Sequence, residues 1–185
     1  MKDFLLTEGS RPWGAFLLFS LTLGCSAGAL SGCGEQRGDS IHPSLEPTFD
    51  SPESLSRAVL AALEAGDYRT LRSYALSKDE FRLYVWLELP ASRPARNLPL
   101  SYVWGDLDQK STNCLRRLVA GRGGRRHELV RVEFDGETTP YQSFKVHRDA
   151  RLVVRDEEGQ VESVNFFGSI IEWNGRYKLF SYNIS

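Results

Sequence analysis

The spacing of apolar residues changes several times along the chain, and each change marks a different kind of element. Trp13–Cys33 is apolar without an amphipathic period: Ala15, Phe16, Leu17, Leu18, Phe19, Leu21 and Leu23 crowd together, and small residues follow at Gly24, Ser26, Ala27, Gly28 and Ala29. Gly34–Asp50 holds only Ile41, Leu45 and Phe49 as large apolar groups among Gly, Pro and polar positions. Such a segment cannot bury enough surface to offset its ordering entropy, and it predicts a flexible linker. From Ser51 a helical period begins. Ser51 can cap, Pro52 suits a first turn, and Leu55, Val59, Ala62 and Leu63 share a face. Gly66 ends that helix and Asp67 caps a second, with Tyr68, Leu71 and Ala75 on its inner stripe. Ser77-Lys78-Asp79-Glu80 has capping-box spacing and predicts a third helix carrying Phe81, Tyr84 and Val85, stopped at Pro90. After a Pro- and Arg-rich connection, Leu100, Trp104, Leu107, Ser111, Cys114 and Leu118 recur in steps of four and three, a helix over roughly 100–120 with Gly121 as its C-cap.

From His127 the period falls to two. Val130, Val132 and Phe134 alternate with Leu129, Arg131 and Glu133, and Asp135-Gly136 marks a turn. One long strand is expected over 142–154, bulged near Arg148-Asp149, and another over 161–173. Asn174-Gly175 is a strong type I′ hairpin signal, and Arg176–Ile184 closes the sheet. Tyr177 and Leu179 alternate with Lys178, Phe180 and Tyr182, so aromatics fall on both sides. One side would then pack on helices and the other would line a cavity or an interface. The expected fold class is α+β, with N-terminal helices packed on a curved antiparallel sheet of about four strands. The domain boundaries expected are a signal segment over 1–32, a modified N-terminus and linker over 33–50, and one globular domain over 51–185.

The first apolar run carries the sharpest chemistry. Lys2 and Arg11 precede it and small residues end it, the order of a secretory signal. Leu30-Ser31-Gly32-Cys33 resembles the lipobox of bacterial lipoproteins. The resemblance implies cleavage between Gly32 and Cys33, a diacylglyceryl group on the Cys33 thiol, and attachment to a bacterial membrane at the cell envelope, on the periplasmic side of an outer membrane. The alternative is an uncleaved N-terminal membrane helix, for which Trp13–Leu30 only just has the length.

Composition adds bounds. The chain has 185 residues and a formal net charge of −1. Loss of residues 1–32 removes Lys2 and Arg11 together with Asp3 and Glu8, so the balance does not change, and nothing in it marks a nucleic-acid partner. There are three cysteines. With Cys33 lipidated, Cys114 has no partner left for a disulfide within the mature chain and reads as a buried structural thiol. No cofactor or metal motif appears. His147 and Asp149 alternate along a strand but lack a third ligand, and Asp106 and Asp108 point in different directions on a helix. Arg122, Arg125 and Arg126, in Gly121–His127, form the one basic cluster and could bind an anion. Their bland role is to complement a helix C-terminus.

The ending Gly168-Ser169-Ile170-Ile171-Glu172-Trp173-Asn174-Gly175-Arg176-Tyr177-Lys178-Leu179 resembles the last hairpin of NTF2-like, cystatin-related cone domains, and Ser51–Ala75 resembles their opening helices. That resemblance implies a cone-shaped interior. Three functional classes stay open. The first is a non-catalytic envelope lipoprotein that meets a protein partner. The second is a module holding a small apolar ligand in a cavity lined by Trp104, Phe144, Phe166 and Tyr182. The third is an enzyme with an acid or base in the pocket. A fold of this kind does not choose among them.

Overall fold

The computed structural model describes residues 45–96 and 98–183. The apolar run, Gly32 and Cys33 lie outside the described residues. Among those described, no helix is long and apolar enough to cross a membrane. The unit is α+β, with helices set against two antiparallel sheets.

The first three helices begin where the capping residues Ser51, Asp67 and Ser77 place them. In α1 (Pro52–Glu64), Ser54 N donates to Ser51 Oγ at 3.0 Å, and Ser51 N donates back to Ser54 Oγ. Gly66 takes a φ of 65°, which a side chain would resist, and the chain reverses into α2 (Tyr68–Tyr74), capped by Asp67. Helix α3 (Lys78–Glu80) is one turn held by the Ser77–Glu80 capping box. It widens into a π-helical turn at Phe81–Val85, then tightens into 3-10 turns at Trp86–Glu88 and Pro90–Ser92. The expected third helix is therefore irregular rather than a continuous α-helix. Helix α4 (Leu100–Arg122) runs past Gly121 and ends at Gly123, whose N–H bonds Val119 O. A side chain on Gly123 would sit 2.4 Å from that same oxygen, so this C-cap position fits glycine alone. Leu115 and Leu118 take the buried seam of α4, and Cys114 is half-buried beside it rather than inside.

Strands β1 (Glu128–Phe134), β4 (Ala150–Arg155) and β5 (Val161–Val164) form one sheet in the order β1-β4-β5. Strands β2 (Thr138–Pro140), β3 (Phe144–Arg148), β6 (Ser169–Trp173) and β7 (Arg176–Ser181) form the other, in the order β2-β3-β6-β7. Each long strand expected from the sequence is split between the two sheets. The first breaks at Asp149, which has a φ of 50°, and the second breaks across 165–168. The breaks align: Asp135 N donates to Asp149 O, and Ala150 N donates to Gly168 O. Gly136 lies at this bend, where a Cβ would meet Arg148 Cβ and Asp149 Oδ2 at 2.7 Å. Three ribbons thus pass from one sheet to the other at the same level, with β7 beside them.

Side chains alternate across β7, and both sides are covered. Leu179 and its neighbour Ile170 join the main core with Leu55, Val59 and Leu63 of α1, Leu71 of α2 and Leu115 of α4. On the opposite side Phe180 meets Phe81, with ring centroids 6.4 Å apart, and Trp173 of β6 meets Tyr84 at 5.3 Å. The second side is thus filled by the irregular helical segment. Residues 45–50, expected in the linker, also belong to the folded unit. Leu45 is buried, and Phe49 exchanges backbone hydrogen bonds with Tyr177 at 2.9 and 2.8 Å.

Candidate functional site

Two polar clusters grow from the four-stranded sheet. The first lies on the side that carries Tyr177. Antiparallel pairing sets Thr138 opposite His147 and Lys145 opposite Glu172. His147 Nδ1 lies 3.0 Å from Thr138 Oγ1, and its Nε2 lies 2.8 Å from Glu172 Oε2. Lys145 Nζ donates to Glu172 Oε1 at 3.0 Å. The rings of Phe134 and Tyr177 flank the imidazole, with centroids at 5.3 and 6.1 Å. His147 and Glu172 each keep 17% of their side-chain exposure, while Thr138 is exposed. Burial pushes the Glu172 carboxyl up, but hydrogen bonds and charge from Lys145 and His147 outweigh it and leave it below the usual carboxylate range. Asp149, weighed from sequence as a metal ligand alongside His147, sits exposed at the bend, and the acid that meets the imidazole is Glu172, brought there by the β3–β6 register.

The second cluster lies on the other side of the sheet. Lys178 is 1% exposed and pairs with Glu80 at 3.1 Å. Its ammonium also donates to Glu46 O at 2.5 Å and Ser73 O at 3.1 Å. Glu80 accepts from Glu46 N and Ser77 N besides. Burial pushes the Lys178 pKa down against the pull of Glu80. Above this pair opens a cleft of about 730 Å³ whose walls include Arg69, Arg72, Lys78, Asp79, Trp104 and Asp108. Arg72 and Asp108 form an ion pair across it.

The basic cluster faces acids rather than open solvent alone. Arg122, Arg125, Arg126 and His127 share a cavity of about 410 Å³ with Asp156, Glu157, Glu158 and Glu162. Arg122 grips Glu162 through two nitrogens, at 2.6 and 3.4 Å, and Arg126 N donates to Glu157. The acidic β4–β5 turn thereby balances the charge that sequence alone offered to an anion.

The four aromatic positions expected around an apolar ligand do not share one opening among the cavities described. Phe166 and Tyr182 are in the main core, where Tyr182 Oη donates to Leu71 O at 2.6 Å and Tyr182 N donates to Ser111 Oγ at 3.0 Å. Phe144 is buried and stacks on Tyr141, with centroids 4.5 Å apart. Trp104 packs on Phe81 and borders the charged cleft. Among the described residues no group of three or more His, Cys, Asp or Glu is placed to hold a metal ion. Lys178 and Glu80 were not singled out by sequence reasoning as a pair. The capping box pointed to Glu80 only as a local partner of Ser77.

Comparison with protein-family models, with curated proteins and with solved structures finds no match for the chain.

Proposed function

We propose that this chain is a lipid-anchored protein of a bacterial envelope whose folded unit serves as an interaction module. The observation that carries the reading is Leu30-Ser31-Gly32-Cys33 at the end of an apolar, small-residue run that follows Lys2 and Arg11. Cleavage before Cys33 and lipid on its thiol would place the unit on the periplasmic side of an outer membrane. Residues 34–44 then lie between the anchor and Leu45, the first described residue, which is buried.

Support for an interaction module, rather than a container for an apolar ligand, comes from how the interior is filled. Phe144, Phe166 and Tyr182, three of the four positions expected around an apolar ligand, are buried against protein. An NTF2-like arrangement is the finer reading of the fold. It draws support from the bent ribbons, the opening helices and the Asn174-Gly175 hairpin, where both residues have positive φ.

Cys33→Ser tests the anchor. The substitution should move the full-length chain out of the membrane fraction or block its processing. A variant that still matures and fractionates with membranes would overturn the reading.

A further inference from the structure

Going beyond the anchoring reading, we propose that Thr138, His147 and Glu172 form a hydroxyl–imidazole–carboxylate relay in which Thr138 accepts an acyl group from an activated ester. The distances define the relay. One imidazole nitrogen is 3.0 Å from the Thr138 hydroxyl and the other is 2.8 Å from Glu172. A nucleophile within hydrogen-bond reach of a base, with that base oriented by a third group, is the arrangement that activates a hydroxyl for attack.

The proton positions follow from the partners. Glu172 is held as a carboxylate by Lys145 and His147, and an ionised carboxylate only accepts hydrogen bonds. Nε2 of His147 must therefore carry its hydrogen toward Glu172. In the neutral ring that leaves the lone pair on Nδ1, and Nδ1 is the nitrogen that faces Thr138. The Thr138 O–H donates to it. Glu172 acts as the positioning residue because it selects the tautomer, and its negative charge stabilises the imidazolium that forms when the proton moves. Thr138 lies on the edge strand β2 and is exposed, so an ester can reach its oxygen. Phe134, 37% exposed, and Tyr177 offer apolar faces beside the imidazole for a short acyl chain.

The step balances. Thr138 Oγ bonds to the ester carbonyl carbon and its proton passes to His147 Nδ1. The bond from that carbon to the leaving alkoxide or phenoxide breaks, and the leaving group takes up the proton. Water then attacks the acyl-threonine, His147 receives the water's proton and returns it to Thr138 Oγ, and a carboxylic acid is released.

Thr139 supplies an internal control. It is the next residue on the same strand, and its hydroxyl accepts from Arg148 Nε at 3.0 Å instead of meeting an imidazole. The full-length chain is treated with p-nitrophenyl acetate, and acetyl groups are mapped by peptide mass spectrometry. Acetylation should appear on Thr138 in clear excess over Thr139. It should fall about a hundredfold in His147→Gln, the range general-base assistance supplies, and persist in Thr138→Ser. In Glu172→Gln the side-chain amide can donate to Nε2, so the ¹⁵N shifts of His147 should report the opposite tautomer as acetylation is lost. Equal acetylation of Thr138 and Thr139, or acetylation of Thr138 that is indifferent to His147, would overturn the proposal. Neither result would touch the anchoring reading, which rests on Cys33.

Discussion

Two lysine–carboxylate pairs are built on the same four-stranded sheet, and they have opposite characters. Lys178 is 1% exposed and Lys145 is 52% exposed. Lys178 gives its donors to Glu80 and to backbone carbonyls of residues 46, 47 and 73, so one side chain ties β7 to the N-terminal segment, α2 and α3. Lys145 touches Glu172 at the edge of solvent, beside an imidazole whose other nitrogen meets the exposed Thr138 hydroxyl. Burial separates the two. A desolvated charge must have every donor satisfied, and the satisfied network becomes a fixed joint. A half-exposed pair costs little to make and contributes little to stability, but it leaves its neighbours chemically available.

The comparison breaks most visibly at Lys178. Lys178→Met removes one partner and leaves Glu80 buried against the helix start, so it should destabilise the unit by about 3–5 kcal/mol in chemical denaturation. Adding Glu80→Gln should cost much less than the sum of the two single changes. Additive effects would show that the residues do not form one joint.

Gly175→Val acts on both pairs at once, because Glu172 and Lys178 flank the hairpin turn. Gly175 has a φ of 72° and Asn174 a φ of 50°. A β-branched residue there should lower stability by about 1–3 kcal/mol. An unchanged melting temperature would mean that the turn is not the one the structure contains.

Acid titration sharpens the exposed pair. The Glu172 carboxyl lies lower in the folded chain than in the unfolded chain, so the unfolded state binds the proton first as pH falls. Its contribution to stability is fully present above the ordinary carboxylate range, about pH 4, and is lost as pH falls through the lower folded value. The stability gap between the natural chain and Glu172→Gln should therefore close on acidification. A gap independent of pH would place the effect in packing. The smallest effect is expected at Lys145→Ala, about 0.2–1 kcal/mol and reduced further by salt.

The sequence disclosed local matters well and distant ones poorly, and these residues show why. Ser51, Asp67, Ser77 and Asn174-Gly175 act on neighbours within four positions, and each was legible. Lys178 and Glu80 are 98 positions apart in the chain, and neither residue has a local pattern that announces the other. His147 stands out in the sequence with Asp149 two positions away, but the acid it meets is distant in the chain. Glu172 reaches it through the β3–β6 register, which no turn residue sets. The first expected long strand is split because Asp149 adopts a left-handed conformation, and an Asp in a polar stretch also fits a simple bulge. The end of the linker is hidden in the sequence for a similar reason: Leu45 and Phe49 look isolated until Tyr177 and the core meet them.

The proposed anchor stands apart from these long-range contacts, since four consecutive residues carry the motif it rests on. The mass and amino-terminal residue of the mature chain, purified from membranes, test it most directly. The expected result is a chain that begins at Cys33 with a diacylglyceryl thioether and an acylated amino terminus. A mature chain that retains residues before Cys33, or one that begins at Cys33 with a free thiol, would contradict the account.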